Sequence, residues 1–73
     1  MSAYFEEGSD AMVALECMVD KVGLANVLYA LEHICYAKGE HVQANWQDRK
    51  LAVAWNRNAG ILNLTASKLA RTE

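Results

Sequence analysis

Apolar residues recur with helical spacing in three stretches of the chain. In the first stretch they are three or four residues apart: Met12, Leu15, Val19 and Val22. Ser9 or Asp10 offers a side-chain oxygen to the free backbone N–H groups of a first helical turn. Gly23 suits the left-handed turn that often ends a helix. The pattern predicts a helix over residues 9–22, preceded by an arm over residues 1–8.

Two longer stripes follow. In each, mostly apolar residues are spaced four and three residues apart in turn, as in a helix that packs along another helix. The first stripe comprises Leu24, Leu28, Leu31, Cys35, Lys38, Val42 and Asn45. The second comprises Leu51, Trp55, Asn58, Leu62, Thr65 and Leu69. Between them stands "NWQD" (45–48), whose Asn and Asp compete with helix backbone for hydrogen bonds. We expect helices over 24–46 and 48–71, with Asp48 capping the last helix.

Two such stripes joined by a short turn predict an antiparallel helical hairpin. Folding the chain at the turn sets Val42 against Leu51, Lys38 against Trp55, Cys35 against Asn58, Leu31 against Leu62, Leu28 against Thr65, and Leu24 against Leu69. Gly39 within the second helix is then a weak spot or a point of close packing. The predicted fold is all-α, a single small domain over 1–73 in which a short helix precedes the hairpin.

Length and composition favour self-association. The chain has 73 residues, of which 53% are hydrophobic, and so small a domain buries only about 60% of its unfolded surface. The hairpin stripes leave apolar side chains on other faces: Tyr29, Tyr36, Ala30, Ala37, Ala44, Val53 and Leu64. We expect these residues to form an oligomer interface, with two hairpins pairing into a four-helix bundle. The predicted function is protein–protein association as a homodimer, without enzymatic activity.

Charge is distributed unevenly between the two parts of the chain. Residues 1–48 hold eight acids and two bases, a balance of −6, whereas residues 49–73 hold five bases and one acid, a balance of +4. The five bases are Arg49, Lys50, Arg57, Lys68 and Arg71, which a helix places on one face opposite the seam. That face is either simply solvated or a surface for an acidic partner. Val53 and Leu64 lie among the bases, which favours a protein partner, and a nucleic-acid-binding dimer is the alternative.

The segment "HICYAKGEH" (33–41) gathers residues that often carry chemistry. On a helix its two histidines are eight residues apart, about 12 Å along the axis, whereas helical metal pairs need a spacing of three or four. The chain has no glycine-rich phosphate loop, no HExxH and no CxxC. We therefore predict no catalytic residue, no metal ligand and no cofactor. A metal- or redox-active protein built around Cys35 and His41 is a further alternative.

The chain predicts a cytoplasmic location. It opens with the acidic "MSAYFEEGSD", which lacks the basic start and apolar run of a secretion signal. No apolar stretch reaches the roughly 20 residues that cross a bilayer. Its two cysteines are too few for a disulfide framework, so we expect reduced thiols and no membrane partner.

From Val19 onward the chain resembles a family of short bacterial helical proteins with no established activity. The resemblance rests on "VDKVGLANVLYALEHIC" (19–35), "NWQD" (45–48) and "LAVAW" (51–55). It implies that one recurring set comprises Gly23, His41, Trp46, Gln47, Asp48 and Trp55. From their position beside the turn we also predict a polar cluster formed by His41, Asn45, Trp46, Gln47 and Asp48. Such a cluster closes the hairpin or contacts a ligand.

Overall fold

A computed structural model describes residues 5–72, so the start of the predicted arm lies outside the described residues. This part of the chain forms three helices and no strand: α1 (Asp10–Val22), α2 (Leu24–Trp46) and α3 (Arg49–Ala70). The all-α prediction is confirmed. α2 and α3 pack along each other as a hairpin, while α1 contacts α2 and makes no contact with α3 among these residues.

One glycine joins α1 to α2 without an intervening loop. α1 begins after Ser9, whose Oγ accepts a hydrogen bond from the Met12 backbone N–H at 3.2 Å. It ends at Gly23, which has φ +89° and ψ 153° and donates its N–H to the Val19 carbonyl at 2.8 Å. The positive φ explains why glycine occupies this position. Its ψ, however, is not that of the left-handed turn expected from the sequence.

The turn between α2 and α3 occupies two residues. Gln47 adopts the left-handed conformation, with φ 52° and ψ 30°. Asp48 then accepts a hydrogen bond from the Leu51 N–H through Oδ1 at 3.0 Å. The predicted cap of the third helix is therefore present, and the chain reverses in the minimum length that an antiparallel helix pair needs.

Small side chains form the seam between α2 and α3. Its buried positions are Ala25, Cys35 and Gly39 on α2 and Ala52, Ala59 and Ala66 on α3. Gly39 marks a point of close approach, because a Cβ built there would lie 3.3 Å from both the Ala52 carbonyl oxygen and the Trp55 Cβ. Of the two interpretations of this glycine, close packing is the one that the structure supports.

The predicted seam is half wrong. Leu24, Leu31 and Lys38 are exposed on α2, as are Leu51, Asn58 and Thr65 on α3. In the structure the residue that follows each of them in the sequence lies nearer the seam. These residues are Ala25, Glu32 and Gly39 on α2, and Ala52, Ala59 and Ala66 on α3. This shift turns each helix about 50° from the predicted orientation. The physical reason is that closely approaching backbones need small residues between them, whereas a hydropathy stripe selects the largest apolar ones.

Consequently few large apolar side chains are buried among the described residues. The buried hydrophobic residues are four alanines, Val27 and Cys35, and no large side chain is fully buried among residues 5–72. Thirteen large apolar side chains are exposed over the same residues. A core of alanines contributes little hydrophobic free energy, because stabilisation scales with the apolar area removed from water.

Candidate association surface

A row of apolar side chains runs along one edge of the α2–α3 seam, and we call it the leucine face. It consists of exposed Leu24, Leu31 and Leu51 together with half-buried Leu28, Val42, Trp55, Leu62 and Leu69. Val42 and Leu51 line one surface depression near the turn, so the two helices contribute to the same side. Its members on α2 run from Leu24 to Val42, which makes this face about 27 Å long.

The opposite edge of the seam is polar. The Tyr29 hydroxyl and the Ser67 hydroxyl are hydrogen-bonded at 3.2 Å. Asn63 Nδ2 donates to the Glu32 carboxylate, at 3.1 Å to Oε1 and 3.3 Å to Oε2. The hairpin therefore has one polar edge with its own cross-helix hydrogen bonds and one apolar edge that residues 5–72 leave uncovered.

An open apolar cavity of about 300 Å³ lies between α1 and α2. Its apolar lining comprises Leu15, Met18 and Val22 from α1 and Val27, Ala30, Leu31 and Ile34 from α2. Lys21 and Asn26 supply polar atoms to the lining. Because Leu31 belongs both to this cavity and to the leucine face, the two surfaces are continuous.

The residues predicted as an oligomer interface occupy several different places. Tyr29 lies at the polar edge of the seam, so the expectation that it faces away from α3 is wrong. Ala30 lines the α1–α2 cavity. The remaining members of the set are exposed: Tyr36, Ala37, Ala44, Val53 and Leu64.

The predicted basic face is present as an exposed surface. Every member is exposed: Arg49, Lys50, Arg57, Lys68 and Arg71. Leu64, with 65% of its surface accessible, stands among them, together with Val53 and Ile61. The outer side of α3 is thus a mixed basic and aliphatic surface.

The predicted polar cluster at the turn divides into separate local interactions. Asn45 Nδ2 lies 3.1 Å from His41 Nδ1 and donates to the His41 carbonyl oxygen at 3.0 Å. Asp48 caps α3, and Gln47 supplies the left-handed turn. Trp46 contributes little to closing the hairpin, because 74% of its surface is exposed. It borders the depression formed with Val42, Asp48 and Leu51 instead.

The residues that suggested metal or redox chemistry are not brought together. Cys35 is buried in the seam, whereas His41 is exposed and borders a shallow depression with His33, Ile34, Ala37 and Lys38. Within residues 5–72, no three His, Cys, Asp or Glu side chains form a group that could hold a metal ion. Cys17 lies exposed on α1.

Sequence reasoning missed the leucine face because it assigned Leu24, Leu31 and Leu51 to the seam. The signal was available in the alanines at 52, 59 and 66, which repeat every seven residues, and in Gly39, which is fourteen residues after Ala25. Small residues at heptad spacing permit close helix approach and leave the neighbouring leucines outside.

None of the helices in the described part of the chain has both the length and the apolar character that crossing a membrane requires. No family model, no curated protein and no solved structure matches the chain. The resemblance to short bacterial helical proteins therefore stays a prediction, and the surfaces described above are the basis for any functional conclusion.

Proposed function

We propose that this protein acts by protein–protein association and that its working form is a homodimer of hairpins joined through the leucine face. The observation that carries the proposal is the contrast between the two sides of the hairpin. The α2–α3 seam buries alanines, while Leu24, Leu31 and Leu51 remain exposed beside it. A chain with so small a core has little stability alone.

The leucine face approaches the size of a stable interface. It is about 27 Å long and about 20 Å wide, the width of two adjacent helices, which gives roughly 540 Å² in projection. Stable protein complexes bury about 800 Å² on each partner. A two-fold axis through this face would place two hairpins against each other as a four-helix bundle, in which the leucines form a shared core.

Self-association fits this surface better than an unrelated partner. The face belongs to the main stripe of both long helices, so without a cover the folded chain would expose a large contiguous apolar surface. A second copy is present wherever the first is made. Lys38 is the one charged residue bordering the face on α2, and its aliphatic stem lets the ammonium group reach water at the margin.

The mixed basic and aliphatic surface on α3 points to an acidic protein as an additional partner. Its bases lie opposite the seam, so they stay accessible when the leucine faces meet. Val53, Ile61 and Leu64 add apolar contact area between the charges, an arrangement suited to an acidic amphipathic helix rather than to a track of phosphates.

Sedimentation analysis of two matched lysine variants tests the homodimer. We expect the unaltered protein to sediment at twice the chain mass of 8.1 kDa. Leu31→Lys places a charge in the proposed interface and should raise the dimer dissociation constant about 30-fold or more, the effect of losing a hot spot of about 2 kcal/mol. Leu64→Lys, on the outer side of α3, should leave it unchanged.

Leu31 is already partly exposed in the hairpin, so a lysine there is compatible with the folded single chain. A folded 8.1 kDa particle for the unaltered protein would contradict the dimer. Dissociation by Leu64→Lys but not by Leu31→Lys would place the interface on the outer side of α3 instead.

A further inference from the structure

Trp46 and the α1–α2 cavity lie at opposite ends of α2. Trp46 is the last residue of α2 and has the largest exposed fraction of the large apolar side chains, 74%. The cavity opens beside the first half of α2 and has a volume of about 300 Å³. The Trp46 side chain is exposed, and the cavity is an apolar space that none of the described residues fills.

An antiparallel two-fold axis would bring these two features together. Cys35 is the midpoint of α2, and Trp46 follows it by eleven residues, about 16 Å along the helix. With the axis near this midpoint, the partner subunit's Trp46 arrives at the level of Leu24. Helical side chains lean toward the N-terminus of their own helix, which carries this indole about one turn closer to the axis. It then lies near the level of Leu28, one residue from Val27 of the cavity lining.

The lining of the cavity suits an indole ring. Leu15, Val22, Val27 and Ile34 provide apolar walls, and Met18 provides a thioether, which interacts favourably with aromatic rings. A buried indole also needs an acceptor for its N–H. Asn26 Nδ2 donates to the Val22 carbonyl oxygen at 2.7 Å, so the amide group is held at the rim and its oxygen offers such an acceptor. Lys21, also in the lining, can approach the ring face as a cation.

The charges around the two features are complementary. Arg49 and Lys50 directly follow the turn that carries Trp46, and both are exposed. Glu16 and Asp20 are exposed on α1, the helix that forms one wall of the cavity. The same antiparallel arrangement sets the bases of one subunit near the acids of the other. Such complementarity favours this orientation over a parallel one, in which like features would meet.

We infer that the α1–α2 cavity is the binding site for Trp46 of a second copy of the chain, so that each dimer contains two reciprocal tryptophan anchors. This inference rests on the proposed homodimer and assigns it an orientation. It also gives α1 a role, because α1 builds the outer wall of the cavity although it covers little of the hairpin. Tryptophan is enriched among interface hot spots, where it fills a pocket on the partner.

Tryptophan fluorescence of a Trp55→Phe chain tests this site, because Trp46 is then the one indole. We expect blue-shifted emission and several-fold weaker quenching by acrylamide than in the denatured chain. Ala30→Phe fills the cavity from within its own chain and should shift the emission back to the red. Ala37→Phe, seven residues later on α2 and outside the cavity lining, is the matched control and should change neither quantity.

The outcomes separate this inference from the proposed dimer. A dimer by sedimentation with a solvent-exposed Trp46 would overturn the inference and leave the proposed function intact, whereas a monomeric unaltered chain would overturn both. Burial of Trp46 that is indifferent to Ala30→Phe would mean that the indole binds elsewhere, and this also overturns the inference.

The unaltered chain provides a second test that does not depend on the variants. In a dimer assembled from labelled and unlabelled chains, isotope-filtered NOE spectra should connect the Trp46 indole to the Met18 methyl group of the other subunit. Trp46 ends α2 whereas Met18 packs at its beginning, so no contact within one chain can produce this signal. Its absence in a confirmed dimer would overturn the inference.

Discussion

Gly39 and Ala52 face each other across the α2–α3 seam at a separation that would make an additional methyl group on Gly39 an unusually tight contact. A Cβ on Gly39 would lie 3.3 Å from the Ala52 carbonyl oxygen and 2.9 Å from Asn56 Oδ1. The Asn56 side chain can move aside, but the Ala52 backbone belongs to the helix. This contact fixes how closely α2 and α3 approach near the turn, and therefore which residues remain outside the seam.

Gly39→Ala should lower the free energy of unfolding by about 1 kcal/mol. Overpacking a tight contact costs about 1–3 kcal/mol, which exceeds the roughly 1 kcal/mol that alanine contributes through helix propensity. Gly60 in α3 is the matched control, because a Cβ there meets no atom within 4 Å. Gly60→Ala should raise the free energy of unfolding by up to about 1 kcal/mol. Chemical denaturation at one fixed protein concentration measures both changes, and equal stabilisation by the two variants would contradict the close contact.

Much of the fold follows from the sequence because helix boundaries depend on local chemistry. Asp48, Gly23 and the "NWQD" turn act through their own backbone neighbours, so the predicted range of α2 matches the observed Leu24–Trp46. The orientation of each helix about its axis is a tertiary property, set by how near two backbones can come. A pattern ranked by hydrophobicity favoured Leu31 over Glu32 and Leu51 over Ala52, and it therefore assigned the candidate interface to the core.

The candidate site was harder to predict than the fold for the same reason. Ala30 was singled out as part of an interface, but the cavity beside it exists only because α1 packs across α2 near Leu31 and Ile34. The position of Trp46 depends on the turn, where Gln47 adopts a left-handed conformation. Neither the cavity nor the projection of the indole follows from the spacing of residues within one helix.

Asp48→Ala should lower the free energy of unfolding by about 1 kcal/mol, because Asp48 Oδ1 satisfies the Leu51 N–H at the start of α3. Asp48→Asn is the conservative control and should retain most of the stability, since asparagine caps helices about as well as aspartate. Thermal and chemical denaturation of the three proteins provide the measurement. A melting curve for Asp48→Ala that coincides with that of the unaltered protein would show that the cap contributes nothing.

The two cysteines should differ in reactivity toward a thiol reagent such as iodoacetamide. Cys17 is exposed on α1, whereas Cys35 is buried between α2 and α3. Modification of Cys35 therefore requires the helices to separate, and we expect it to proceed about tenfold more slowly or slower still. Mass spectrometry of peptides after timed labelling gives both rates, and labelling in denaturant provides the reference in which the two should converge. Equal rates in the native protein would contradict the burial of Cys35.

Binding to nucleic acid should be weak at physiological salt, although five bases line the outer side of α3. The aliphatic side chains among them, including Leu64 and Val53, interrupt a continuous phosphate track. The whole chain carries a net charge of −2, so a dimer repels polyanions at long range. Non-specific binding by basic proteins typically has a Kd of about 10⁻⁴–10⁻⁶ M, and we expect this protein to lie at or beyond the weak end. Fluorescence anisotropy with labelled RNA and duplex DNA at two salt concentrations measures it, with Arg57→Ala as the variant that removes a central base. A Kd of about 1 µM or tighter that weakens steeply with salt and with Arg57→Ala would instead identify the basic face as a nucleic-acid-binding surface.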